Sequence, residues 1–202
     1  MARFHSPIPM NIRILSSFGL ILWLVLAGAD VRAAEVEERD ESGGLLALRQ
    51  MDADGRPHGL SREYFPTGTL RAERHYHHGL LHGISRLYYP SGALQTEWRY
   101  KEGKREGKGV GYFESGVLKD EGFYQDDRQE GPTRLYSSDG SLKAELNFEN
   151  GILEGTSKTY YPGGGVNYIY TYRKGRIAKS QTFGPDGALL VEQDYPISQV
   201  QP

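Results

Sequence analysis

Apolar and polar residues alternate along most of this chain in short runs, and nearly every run stops at a glycine. Between Gly79 and Gly103, Leu87, Tyr89, Leu94, Trp98 and Tyr100 fall on one side of the alternation, and Arg86, Tyr88, Gln95, Glu97 and Arg99 on the other. A period of two is that of a β-strand with two different faces, and no stretch places apolar residues at helical spacing. Two sets of X-Gly dipeptides bound the runs. One is Thr67-Gly68, Ser91-Gly92, Ser115-Gly116, Asp139-Gly140, Gly163-Gly164 and Asp186-Gly187; the other is His78-Gly79, Glu102-Gly103, Asn150-Gly151 and Lys174-Gly175. Between strand-like runs this dipeptide predicts a two-residue hairpin with a type I′ turn, because glycine accepts a positive φ. Pro66, Pro90, Pro162 and Pro185 precede the first set, at strand ends where a missing N–H costs least.

The hairpins recur with a period of 24 residues. Glycine opens the unit at Gly55, Gly79, Gly103, Gly151 and Gly175, with Asp127 in the one missing place, and a second glycine follows at Gly59, Gly83, Gly107, Gly131 and Gly155. Tyrosine returns at Tyr64, Tyr88, Tyr112, Tyr136 and Tyr160, glutamate at Glu73, Glu97, Glu121 and Glu145, and an aromatic closes the unit at Tyr76, Tyr100, Tyr124, Phe148 and Tyr172. Five copies and a shortened sixth, reaching about Tyr195, make this a repeat protein. The expected fold is all-β: an elongated antiparallel β-hairpin meander of about six 24-residue repeats in a single twisted or rolled sheet.

Turn positions then imply register. Pairing outward from the first set of turns puts Arg62 opposite Glu73, Arg86 opposite Glu97 and Arg134 opposite Glu145. Each exposed pair contributes only ~0.2–1 kcal/mol, so the pairs fix register more than stability. Pairing outward from the second set puts Gly107 opposite Trp98, Gly83 by Arg74 and Gly155 by Leu146. That arrangement predicts long side chains folded over strand glycines. Neither face is apolar enough for a deep core, and rolling would leave a tyrosine-rich concave surface.

The string GxxxGxxxxYYPSGxLxxExxYxxG, present as Gly79–Gly103, resembles the bacterial variant of the MORN repeat, and copies of it cover about Gly55–Tyr195. The resemblance implies a β-hairpin repeat used for protein or lipid interaction; bacterial members are often labelled antitoxin components. The sixth copy departs from the pattern, with Lys179 in place of the second glycine and one residue missing before Phe183, as expected of a cap.

The two ends read differently. Arg3 and Arg13 precede an apolar run, Ile14–Ala29, followed by small residues, which is the order of a secretory signal. We expect residues 1–33 to be a cleavable signal peptide ending at Val31-Arg32-Ala33, with Ala27-Gly28-Ala29 as the second choice and Met10 as an alternative start. Residues 34–54 are expected to be a charged linker, Glu35–Gly44, and an N-terminal cap strand, Leu45–Met51. Residues 55–195 form the repeat domain and 196–202 a tail. Net charge is −2, and −4 without residues 1–33, so composition points to neither nucleic acid nor an anionic surface. The absence of cysteine excludes disulfides, thiolate chemistry and a lipidated N-terminal cysteine.

Four features bear on candidate chemistry. His75, His77 and His82 are expected to converge at one hairpin tip, where imidazoles could bind zinc, copper or nickel, against the plainer reading of a solvated turn. The aromatic columns, with Tyr168, Tyr170 and Tyr172 the densest and Trp98 and Tyr100 next, combine packing with a binding face. The glutamate column could pair carboxylates as a glycosidase does, but one glutamate per repeat beside a basic partner is what repetition alone produces. Gly107-Lys108-Gly109-Val110-Gly111 has the glycines of a phosphate loop without a following helix. No catalytic residue and no cofactor is expected. The function expected is an exported, non-enzymatic interaction or scaffold protein of the bacterial envelope, secreted or periplasmic, with a protein partner, no nucleic acid, and contact with a membrane surface open. The alternatives are an antitoxin or immunity-type protein, and a metal-binding or carbohydrate-active envelope protein.

Overall fold

The computed structural model describes residues 11–15, 21–25 and 34–196. All described regular structure is β, in one open antiparallel sheet whose successive strands pair with their neighbours in sequence. Both expected cleavage motifs, Val31–Ala33 and Ala27–Ala29, and the tail beyond Pro196 lie outside the described residues. Within the segment read as a leader, Asn11–Leu15 pairs antiparallel with Ile21–Val25, which pairs in turn with Ala34–Arg39.

The chain divides into two compact units, residues 1–94 with 100–103 and residues 95–99 with 104–202. In the first, Ala34–Arg39, Leu45–Met51, Pro57–Tyr64, Leu70–His77 and Leu80–Tyr88 pair in order. In the second the same succession runs from Lys104–Tyr112 to Leu189–Asp194. The stretch expected to be a charged linker is therefore largely a strand. Its charges are paired rather than solvated: Arg49 Nη1 meets Glu38 Oε2 at 2.6 Å across the strands, and Arg39 bonds Glu37. Asp40 closes the following turn by accepting from the amides of Ser42 and Gly44. Alternating charges suit a strand as well as a linker when each has an opposite partner.

The two sets of turns differ. At the second set both central residues have positive φ, His78 at 48° and Gly79 at 85°, Asn150 at 53° and Gly151 at 82°, as a type I′ turn requires. The first set is not type I′. Apart from Gly163–Gly165, which all have positive φ, only the glycine is left-handed; Gly68 N–H donates to Phe65 O and Phe65 N–H to Thr69 O, both at 2.8 Å. That is a three-residue loop, a type I turn closed by a glycine bulge, with Pro66 at the turn position that its fixed φ favours. Beyond the bulge the register is as expected: Arg62 faces Glu73 and Arg134 faces Glu145.

The second glycine column also differs from expectation. Gly59, Gly83, Gly107, Gly131 and Gly155 all have positive φ. In the first unit the register slips between Arg74 and Tyr76, so Ser85, not Gly83, faces Arg74. These glycines sit in bulges that carry two extra residues, so the pairing moves on by two positions: Tyr76 with Leu81 is followed by Arg74 with Ser85. Gly107 lies against Arg99 instead of Trp98, whose ring covers Gly109. Likewise Gly155 lies against Asn147, not Leu146.

The consequence is a column of small residues. Ser61 and Ser85 in the first unit, and Gly109, Thr133 and Ser157 in the second, recur every 24 residues and are all buried. Ala47, Ala72 and Ala144 are the only buried hydrophobic residues among those described. Larger neighbours fill the space above them: Tyr170 is the register partner of Ser157, and the Trp98 ring rests on Gly109. We predict that Gly109→Ala, at ordinary negative φ, lowers stability by about 1–3 kcal/mol because its methyl meets the Trp98 ring. In a denaturant double-mutant cycle, Trp98→Ala should remove most of that penalty; equal penalties in both backgrounds would refute it.

Candidate functional site

Each I′ tip is bonded back to the strand before it. Gly79 N–H donates to Pro57 O, Gly151 N–H to Gln129 O, both at 2.8 Å, and Gly175 N–H to Leu153 O at 3.0 Å. A side chain on that same strand holds the other tip residue: Glu130 Oε2 accepts from Asn150 N–H at 2.8 Å, Glu154 Oε2 from Lys174 N–H at 2.6 Å, and Glu106 Oε2 from Asp126 N–H at 3.2 Å. In the first two repeats histidine occupies the glutamate's place, as His58 and His82, and His58 Nδ1 lies 3.4 Å from His78 N.

That substitution builds a histidine cluster. The rings of His58 and His78 are 4.7 Å apart, those of His77 and His78 4.4 Å, and those of His58 and His77 5.1 Å. One nitrogen from each of the three lies within 4.8 Å of the others. His82 is near His77, with ring centroids 5.7 Å apart. His75, expected in the cluster, is engaged elsewhere: its Nδ1 is 3.1 Å from Ile84 O, beside the Gly83 bulge. The sequence reading missed His58, one repeat earlier, and His78, at the tip, because a pairing rule within one hairpin brings in neither. Their signal is that five of the six histidines fall between residues 58 and 82.

Charges surround the cluster. Asp52 Oδ2 is 3.0 Å from His78 Nδ1, and Arg56 Nη2 lies 3.2 Å from the same nitrogen while pairing with Asp52 and Asp54. The Arg56 amide, then His78, hold the Asp52 carboxyl well below the usual carboxylate range. Partial desolvation, then the neighbouring His78, His58 and His82, lower the pKa of His77 below that of a free imidazole. Neutral imidazole is the form that binds a metal.

The aromatic candidates sit in the second unit, except Tyr100, which belongs to the first and is half-buried. Trp98 is packed: it meets Tyr124 edge-on at 4.9 Å, and Arg105 lies 4.4 Å from the Tyr124 ring centre and 5.4 Å from that of Trp98. Arg105 also binds Asp127, donating from its amide at 2.9 Å and from Nε at 3.1 Å, which secures the one tip lacking glycine. Tyr168, Tyr170 and Tyr172 form a half-buried row on one strand face; the first two are stacked at 5.8 Å and 17°, the next pair tilted at 6.2 Å. Their register partners are mostly small, Thr159 and Thr182 for Tyr168, Ser157 and Ser180 for Tyr170.

On the opposite face the glutamate column is fully engaged. Glu121 binds Lys108 at 2.7 Å and Tyr136 Oη at 3.0 Å; Glu145 binds Tyr160 Oη at 2.6 Å and Arg134 Nε at 3.1 Å. Both carboxyls are held below the ordinary glutamate range, Glu121 by Lys108 first and Glu145 by Tyr160 first.

Comparison with protein families matches the MORN repeat variant at residues 57–78, 81–102, 105–126, 129–150 and 153–174, more than half of the chain. The chain belongs to the MORN repeat variant family. No curated protein matches it. MORN repeats are non-catalytic modules of protein or membrane-lipid interaction, and the glutamates bound into ion pairs across this MORN sheet fit that character. Burial, then the Glu145 bond, pushes the Tyr160 phenol up to about 12. A raised phenol pKa contributes stability that is intact below about pH 10, the value for a free phenol, and lost as pH rises through 12. Tyr160→Phe should therefore remove one phenol titrating near 12 from the phenolate absorbance and flatten the stability loss between pH 10 and 12. At neutral pH it should cost about 1 kcal/mol.

Proposed function

We propose that this MORN repeat protein is an exported, non-enzymatic scaffold of the bacterial envelope that holds a protein partner on the Tyr168–Tyr170–Tyr172 row. The observation that carries the reading is the row itself: three half-buried tyrosines at alternate positions of one strand, ring beside ring and flanked mostly by serine and threonine. Tyrosine offers large contact area and a polar tip with few rotors to immobilise, so a pre-ordered row suits protein recognition. Export rests on the order of basic, apolar and small residues in 1–33. Cleavage after Ala33 would remove Asn11–Leu15 and Ile21–Val25 and leave Ala34–Arg39 as the first strand of the sheet.

The test is recovery of partners from envelope extract by the wild-type protein and by Tyr168/Tyr170/Tyr172→Ser, with thermal melts to show that both are folded. We expect a protein retained by the wild type and lost by the variant, with Tyr170→Ala alone weakening binding at least ~30-fold, as a central hot spot does. Identical retention by both baits would refute the binding row. Mass spectrometry of the protein recovered from expressing cells should show Ala34 as the first residue; an intact N-terminus with the protein in the cytoplasm would refute export.

A further inference from the structure

We propose that His58, His77 and His78 form a binding site for one divalent transition-metal ion of the class that imidazole prefers: zinc, copper or nickel. The three residues come from different parts of the fold. His58 lies on strand Pro57–Tyr64, His77 ends strand Leu70–His77, and His78 is the first residue of the adjoining tip. The Gly79 N–H to Pro57 O bond ties that tip to the His58 strand, so the three rings are brought together by the backbone before any ion arrives. Nitrogens that all lie within 4.8 Å of one another need only small side-chain rotations to reach the about 3.3 Å separation of two ligands on a tetrahedral ion.

Two further observations separate this cluster from a solvated histidine-rich turn. The first is the carboxylate behind it. Asp52, whose side chain is only 11% exposed, lies 3.0 Å from His78 Nδ1, and with Asp52 as the acceptor there Nε2 is left as the ligand. A carboxylate placed behind a ligating histidine is the usual outer support of a metal site, because it orients the ring and raises its basicity. The positive charge of Arg56 beside it is offset by Asp52 and Asp54, both bonded to the guanidinium.

The second observation is what the repeat does elsewhere. At the positions equivalent to His58 the second repeat has His82, and in the next three Glu106, Glu130 and Glu154 hold the tip amide at 3.2, 2.8 and 2.6 Å. His58 does so at 3.4 Å, a longer contact than any of the three glutamates makes. The tip equivalents of His78 are Glu102, Asp126, Asn150 and Lys174. The fold therefore requires histidine at neither position, and glutamate serves the structural role better. Three imidazoles with a carboxylate only in the outer shell favour zinc, copper or nickel over the oxygen-seeking magnesium and calcium. One coordination position remains for water or for His82, whose ring lies 5.7 Å from that of His77.

The test is calorimetric titration of the full chain, stripped of metal by a chelator, with zinc chloride and in parallel with magnesium chloride. We expect one equivalent of zinc and no magnesium to bind. His77→Ala and His78→Ala should each weaken zinc at least ~10-fold, and Asp52→Asn by about 10–100-fold, as loss of an outer-shell partner does. His75→Ala should leave the affinity unchanged, because that imidazole is bonded to Ile84 O. Metal-free thermal melts of the variants control for folding, and nitrogen hyperfine structure in the spectrum of the copper-loaded protein reports imidazole ligation. Absence of stoichiometric zinc binding, an affinity unmoved by His77→Ala and His78→Ala, or an equal loss on His75→Ala would overturn the proposal.

Discussion

The structure depends on the hairpin tip. Two successive residues at positive φ close each I′ turn, and the amide of the second donates to a carbonyl on the strand of the preceding repeat. Glycine is the natural second residue, since it meets no Cβ penalty there. Where Asp127 replaces it, the side chain bonds the amide and guanidinium of Arg105, and the tip keeps its place. Because each tip is bonded to the strand before it, register passes from one hairpin to the next within a unit. A meander without this link would have only its ladders to resist slippage by two residues.

The bulge glycines then decide what lies above what. By adding two residues after each tip they move the ladder on, so that Ser61, Ser85, Thr133 and Ser157 fall in the buried column. Small side chains there are what let Trp98 lie across Gly109 and Tyr170 stand over Ser157. The same device that allows a thin sheet to pack without a deep core also holds an ordered row of tyrosines. Packing and the proposed recognition row share one face, while the opposite face carries ion pairs and phenol bonds such as Tyr160 to Glu145.

The histidine cluster shows how a repeat can acquire chemistry without a new fold. The glutamate that holds each tip amide can be exchanged for histidine at little cost to the hairpin, since the bond it makes is one of several at that tip. Once His58 replaces it, His77 and His78 are already within reach, because the tip is bonded to the same strand. Asp52 completes the arrangement from the turn before that strand.

Much of this fold was legible in the sequence, because turn chemistry and strand alternation are local. Glycine at every second-set tip, the period of 24 and the pairs Arg62–Glu73 and Arg134–Glu145 follow from residues close in the chain. Other features were not. Gly83 reads alike as a covered strand glycine or a bulge, and only the positive φ and slipped register distinguish the two. Glu35–Gly44 reads as a linker until Arg49 is seen to reach Glu38 across the strands. The metal-binding candidates changed for the same reason: pairing within one hairpin joins His75 to His82, whereas the tip bond between repeats brings in His58 and His78. The sequence by itself determined the strands, the turns and the period. Tertiary structure alone decided which residues of different repeats meet, since that depends on where each bulge falls and on hydrogen bonds between residues about one repeat apart.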